Sequence, residues 1–253
     1  MTAHFSEKKR LMTTTLTAPY LYYNKAPNLS EQATTFLEQA NSFFDQQDIL
    51  KTTEAYKNAL EAAPQSPELM NNIGAILAAQ GAIAEGAQFL KRAIETDNKC
   101  VGAHYNLGTL FISTEMSGPA REELEKAHQL DLNSAPILNN LGISCLQGGD
   151  REAAIKYFKE AIEKAPAFDY AYHNLGTTAF DQNNLDDATE WFHQSLERNA
   201  ANFATLNDLA CVLYLQDKVN EAIPLLKKAI EANEHYRLPY HNLGYIAYTK
   251  QLL

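Results

Sequence analysis

The tripeptide Asn72-Ile73-Gly74 returns as Asn106-Leu107-Gly108, Asn140-Leu141-Gly142, Asn174-Leu175-Gly176 and Asn242-Leu243-Gly244, with Asp208-Leu209-Ala210 in the one remaining slot. The closing small residue falls at 74, 108, 142, 176, 210 and 244, an even spacing throughout, and a further step back lands on Ala40. A fixed period without insertion is the mark of stacked units that cannot bury their apolar faces alone.

Two more sets of positions keep the same register. Twelve positions after each small residue comes Thr52, Gly86, Ala120, Ala154, Ala188 or Ala222; four further on is Tyr56, Leu90, Leu124, Phe158, Phe192 or Leu226; three beyond that is Ala59, Ala93, Ala127, Ala161, Ser195 or Ala229. Small residues let two helix axes approach, and large ones four apart on one face fill the space that remains. The spacing therefore predicts two antiparallel helices per repeat. Gly81, Gly148-Gly149-Asp150 and Asn183-Asn184 supply turns between them, while Pro64 and Pro166 close second helices.

Composition bounds the function. The 253 residues are 45% hydrophobic, enough for a large core, and carry 21 cations against 31 acids for a net charge of −10. A nucleic-acid binder needs a basic face, so that class is excluded. No run of apolar residues is long enough for a membrane span, and Lys8, Lys9 and Arg10 are followed by Thr-rich sequence where a signal peptide needs an apolar stretch. Cys100, Cys145 and Cys211 are odd in number and widely spaced, which gives neither a disulfide frame nor a zinc site. These features lead us to expect a soluble, cytoplasmic protein without metal or other cofactor. Phosphate-cradling glycine loops and catalytic constellations are also lacking, so no enzyme is expected.

The repeated residues resemble the tetratricopeptide repeat family, in which Leu-Gly, an alanine, an aromatic, another alanine and a proline recur at fixed offsets with the same period. The resemblance covers 33–253: six frames at 33–66, 67–100, 101–134, 135–168, 169–202 and 203–236, then 237–253 as a terminal helix or the start of a seventh. Leu132 and Ala200 stand where the closing proline is usual, and Pro224 falls inside a second helix, where a tolerated bend is expected. The resemblance implies an all-α, right-handed superhelix whose first helices line a concave groove that binds peptides or proteins. In each frame the groove positions are then mainly 2, 5, 6, 9, 12 and 13.

Position 6 holds Asn72, Asn106, Asn140, Asn174 and Asn242, interrupted by Glu38 and Asp208. A carboxamide both donates and accepts, so this column can either grip the backbone of an extended peptide or tie neighbouring helices together. It is similar to the asparagine ladder in the repeat region of O-GlcNAc transferase. Positions 2 to 13 of the first helices contain no Lys or Arg, but they do contain Glu38, Asp45, Glu68, Asp181 and Asp208. Repeat modules that clamp chaperone tails need cations; Gly102 and Asn106 stand in their places, and although Asn41 and Asn72 match the clamp asparagines, they cannot hold a carboxylate without them. Ala75, Ala78 and Gly102 leave the early groove open, whereas Tyr170, His173, Phe180, Tyr214, His241, Tyr245 and Tyr248 offer aromatic anchors later. His173 and His241 lie two repeats apart, too far to share a metal. Cys145 falls on a core column and Cys211 on a groove position.

The expected function is a non-catalytic protein–protein interaction scaffold that takes an extended, neutral-to-basic peptide. Two alternatives are the substrate-recruiting N-terminal region of a larger enzyme such as a glycosyltransferase, and a self-assembling scaffold. Residues 1–32 stand outside the repeats and carry +2, leaving −12 on the remainder. Pro19 and Pro27 bracket Tyr20-Leu21-Tyr22-Tyr23, which reads as extended chain. This stretch is either a disordered tail, a leader before an internal start at Met12, or a tethered segment that fills the groove of its own or a neighbouring molecule. At the other end, Tyr240, Leu243, Gly244 and Ala247 keep the pattern that receives a second helix, so the chain is expected either to continue past Leu253 or to form homo-oligomers there.

Overall fold

The computed structural model describes residue 26 and residues 29–250. The aromatic segment at 20–23, the cations at 8–10 and the terminal Leu253 lie outside the described residues. Among those described, every element is an α-helix. The chain is an all-α repeat solenoid. Two compact units divide after Asp150.

In the first unit α1 (Glu31–Asp45) pairs with α2 (Ile49–Ala62), α3 (Pro67–Ala79) with α4 (Ile83–Thr96), and α5 (Val101–Ser113) with α6 (Ser117–Leu130); α7 (Ala135–Gln147) stacks on α5 and α6. In the second unit α8 (Arg151–Lys164) packs on α9 (Asp169–Asp181), which pairs with α10 (Leu185–Arg198); α11 (Phe203–Leu215) pairs with α12 (Val219–Ala232), and α13 (Leu238–Thr249) stacks on both.

Local chemistry sets the helix ends. Ser30 Oγ accepts from Ala33 N at 3.2 Å and Asp48 Oδ1 from Lys51 N at 3.2 Å, each satisfying an amide that the first turn leaves without an intrahelical partner. Ser66 caps α3 in the same way, with Pro67 at its first turn. The turns inside the pairs share a device the sequence shows only in part. Gln47, Gly81, Glu115, Gly149, Asn183 and Asp217 all have φ between 58° and 84°, one left-handed position in each successive repeat. Only two of the six are glycine. Pro224 sits within α12, which continues through it from Val219 to Ala232 with Ala222 and Leu226 buried on either side.

Packing is lopsided between the helix types. Second helices bury a narrow stripe, such as Gly86, Leu90 and Ala93 on α4 or Ala188, Phe192 and Ser195 on α10. First helices inside the stack are buried almost all round, Leu69–Ala78 on α3 and Ala204–Leu215 on α11 without a break, whereas the end helices α1 and α13 bury three residues each among those described. Each large side chain in those stripes contributes about 1.5–3 kcal/mol by leaving water. The glycine column makes room for them, because a Cβ built at Gly108 would lie 2.6 Å from Leu124 Cγ and one at Gly176 2.6 Å from Phe192 Cδ1. Gly244 meets nothing within 4 Å, and the neighbouring Tyr240 is 48% exposed.

Candidate functional site

The asparagines of position 6 are fully buried, and Asn106, Asn140 and Asn242 are joined to the preceding first helix. Asn106 Nδ2 donates to Asn71 Oδ1 of the preceding repeat at 2.8 Å, and Asn71 Nδ2 donates on to Asn72 Oδ1 at 3.2 Å. Asn140 Nδ2 reaches back to Thr109 Oγ1 at 2.8 Å and receives Asn139 Nδ2 at 3.1 Å. In the second unit Asn242 Nδ2 donates to Asn207 Oδ1 at 2.9 Å, and Asn207 Nδ2 to Asp208 Oδ1 at 2.8 Å. Asn174 is buried to the same degree. Of the two roles open to the column, tying helices together is visible in these bonds. The tie uses a second column that sequence reasoning missed: position 5 reads Asn71, Tyr105, Asn139, His173, Asn207, His241. Its signal was the doubled carboxamide at Asn71-Asn72 and Asn139-Asn140, which recurs as Asn207-Asp208 and so marks every second repeat.

A polar cluster lies within the second unit. His173 Nδ1 is 3.0 Å from Thr205 Oγ1 and its Nε2 3.8 Å from an Asp208 carboxylate oxygen, while the ring packs tilted against Phe192 at 5.6 Å. Burial opposes the charged imidazolium and holds the His173 pKa down to about 4, so the ring is neutral at pH 7. Cys211 accepts from Asn242 Nδ2 at 3.3 Å. Burial, reinforced by the Asp208 charge, pushes its thiol well above the ordinary range, which leaves no nucleophilic thiolate. Cys145 is likewise buried.

The aromatic and acidic candidates separate by exposure rather than forming one surface. Phe180 is 3% exposed and belongs to the core with Leu209 and Leu213. Tyr214 is buried, its hydroxyl 3.0 Å from Thr249 Oγ1 and its ring edge-on to Tyr245 at 5.9 Å. Tyr170 is half-buried beside Phe168, and burial raises its phenol pKa. Tyr245 is half-buried as well, whereas Asp181, His241 and Tyr248 are exposed, the last by 79%. Asp208 is buried.

At the start of the first unit a cavity of about 550 Å³ is lined by Ala26, Leu29, Thr34, Leu37, Glu38, Asn41, Phe44 and Asp45. Asn41 Oδ1 is positioned by the Tyr56 hydroxyl at 3.0 Å. Burial pushes that phenol up to about 12, so it stays a donor throughout the physiological range. Glu38 and Asp45 are exposed and make the cavity acidic, while Leu37 and Phe44 give it an apolar wall.

One partly buried carboxylate cluster had no sequence signal. Glu123 meets His104 Nδ1 at 2.6 Å and Lys126 Nζ at 2.9 Å, and His104 Nε2 is tied to Asn98 O at 3.0 Å. Burial pushes the Glu123 carboxyl up, but the bonds from His104 and Lys126 outweigh it and leave the pKa below the usual carboxylate range. A depressed carboxylate contributes stability above its unfolded pKa and loses it as pH falls through the folded one. Stability of the protein relative to Glu123→Gln should thus be constant above about pH 5 and shrink in acid, as urea denaturation at stepped pH will measure. A gap that widens on acidification would contradict the assignment.

Profiles of the tetratricopeptide repeat family match residues 37–100, 139–203 and 203–235. Among solved structures, a tetratricopeptide repeat protein from Parabacteroides merdae aligns over 88% of this chain and 88% of its own, at 17% identity and TM-score 0.67. PilW, a type IV pilus biogenesis factor, aligns over 85% and 99% at 16% identity and TM-score 0.72. YrrB, a TPR protein with an unusual peptide-binding site, aligns over 75% and 97% at 21% identity and TM-score 0.50. At such identities the likeness is one of fold. Among the described residues no helix is long and apolar enough to cross a membrane, and no three His, Cys, Asp or Glu side chains are placed to hold a metal ion.

Proposed function

Since the chain belongs to the tetratricopeptide repeat family, whose members typically serve as protein-interaction scaffolds, we propose that it is a non-catalytic scaffold binding an extended, neutral-to-basic segment of a partner along the first-helix groove. The observation that carries the reading is the charge of that groove: positions 2 to 13 of the first helices lack any cation, while Glu38 and Asp45 line an open, half-apolar cavity at its start. A Lys or Arg side chain can lay its methylenes on Leu37 and Phe44 and place its charge between the two acids. YrrB, itself a TPR protein with a peptide-binding site, supports a peptide as the ligand by analogy. The acids would then govern association rate and salt sensitivity.

A peptide array probed with the full chain tests this. Basic extended peptides should bind best, and Glu38→Lys with Asp45→Lys should weaken them by about tenfold at low salt, with a smaller effect above roughly 0.5 M as screening sets in. Strongest binding by acidic peptides with free C-terminal carboxylates would end the proposal.

A further inference from the structure

We propose that the outer face of α13, with the flank of α12 beside it, is a docking site for an amphipathic helix of another protein. That helix carries the residue pattern of this chain's own second helices, with an acid ahead of it. The surface is separate from the groove, and three observations support it.

The first is steric. Position 8 of a first helix is small because a bulky residue of the second helix lies against it. A Cβ at Gly74 would stand 2.7 Å from Leu90 Cγ, and those at Gly108 and Gly176 would meet Leu124 and Phe192 at 2.6 Å. Gly244 holds the same position in α13 and has nothing within 4 Å. Position 4 behaves alike: Met70, His104, Leu138, Tyr172 and Leu206 are buried, whereas Tyr240 is 48% exposed. Leu243 and Ala247 complete this stripe and are only half-buried.

The second is composition. Leu238–Thr249 contains no Asp, Glu, Lys or Arg, like the interior helices α5 and α7, whereas every described second helix carries both signs of charge. A helix that closes a stack is expected to turn a polar face outward. α13 instead has the make-up of a helix covered on its sides.

The third is charge. Between successive second helices, a cation of the earlier one faces acids of the later one. Lys57 Nζ lies 3.4 Å from Glu85 Oε1. The cleft between α4 and α6 is lined by Lys91 and by Glu122 and Glu123, and that between α8 and α10 by Lys159 and by Asp187 and Glu190. Lys227 continues the series on α12; it is exposed, and no later second helix among the described residues supplies its acid. Ile223 and Ile230, half-buried, share its side of the helix.

These features specify the occupant. It needs a bulky apolar residue to fill the slot over Gly244, and small residues four before and three after it so that the axes approach. An acid directly before the first small residue reaches Lys227. Glu85-Gly86, Leu90 and Ala93 on α4 form such a set, as do Asp187-Ala188, Phe192 and Ser195 on α10. A second copy cannot lend its own second helices, because their stripes are buried, and another α13 brings no acid.

Titration of the full chain into a labelled synthetic peptide of residues 82–98 tests the inference. A side-chain bridge joining positions 88 and 92, which face solvent in α4, keeps so short a helix formed. Saturable binding is expected. Gly244→Phe fills the slot, and because nothing lies within 4 Å the fold is not at stake, as circular dichroism will check. It should weaken binding by about tenfold or more, as should Leu90→Ala in the peptide. Lys227→Glu should weaken it about threefold at low salt, and Glu85→Lys in the peptide should restore the affinity. Absence of saturation, or binding indifferent to Gly244→Phe, would overturn the proposal. So would a chain that leaves the peptide unbound but dimerises on concentration in a manner that Gly244→Phe abolishes, which assigns the face to a second copy.

Discussion

Gly86→Ala is expected to destabilise the first unit by about 3 kcal/mol, the upper end of overpacking costs. A Cβ at Gly86 would stand 2.8 Å from Gly74 O and 2.9 Å from Ala78 N, both backbone atoms, so relief requires moving α3 against α4. Gly108→Ala and Gly176→Ala should cost less, because the atoms nearest the methyl belong to the Leu124 and Phe192 side chains, with backbone no nearer than Ala120 O at 3.2 Å. Gly244→Ala should be neutral or stabilising by up to about 1 kcal/mol, since helix propensity favours alanine and nothing lies within 4 Å. Urea denaturation of the four variants, with exchange protection in α3 and α4 as a local readout, measures the order. Equal losses at Gly86 and Gly244 would show that the close helix approach is not what holds glycine at 86.

Asp169→Ala should weaken the second unit by about 3 kcal/mol, through two lost charge-assisted bonds. The buried carboxylate accepts from Asn199 Nδ2 at 3.0 Å and Asn202 Nδ2 at 2.8 Å, pinning the loop between α10 and α11. Asn202 in turn caps α11 through Thr205 N at 3.1 Å. Removing the acceptor loses two bonds to a charged group, each worth about 1.5–3 kcal/mol. Both bonds end on Oδ2, so the amide oxygen of Asp169→Asn can accept both, and the variant should lose only the charge assistance, roughly half as much. Thermal or urea unfolding measures the loss. An alanine variant no weaker than an ordinary surface substitution, which changes stability by about 0.5 kcal/mol at most, would mean that other contacts hold the loop.

Much of the fold could be read from periodicity alone, since glycine, alanine and bulky columns spaced one repeat apart predict which helix faces meet. The turns were harder to read. Gln47, Glu115 and Asp217 adopt the same left-handed backbone as Gly81 and Gly149, although their side chains disfavour it. There the hydrogen bonds that close each helix, such as Asp48 N to Phe43 O and Met116 N to Phe111 O, impose the conformation over local preference. At the site, periodicity placed the asparagines on one column but said nothing of their partners. Asn71 and Asn207 emerge as acceptors only once adjacent repeats are stacked, and the alternation of position 5 has a period twice that of the repeat. His104 and Glu123 sit on different helices, α5 and α6, and no spacing rule joins them.

Identical carboxamides at a constant pitch act as a lattice, and a lattice has translational symmetry. A repeat stacked one step out of place would meet the same donors and acceptors, so such a column holds neighbours together without deciding which follows which. Breaks in the symmetry have to do that. Glu38 and Asp208 are the two places where position 6 departs from asparagine, and the paired Asn71-Asn72 and Asn139-Asn140 mark alternate steps. The order in which repeats stack is therefore carried by these defects and not by the asparagines themselves.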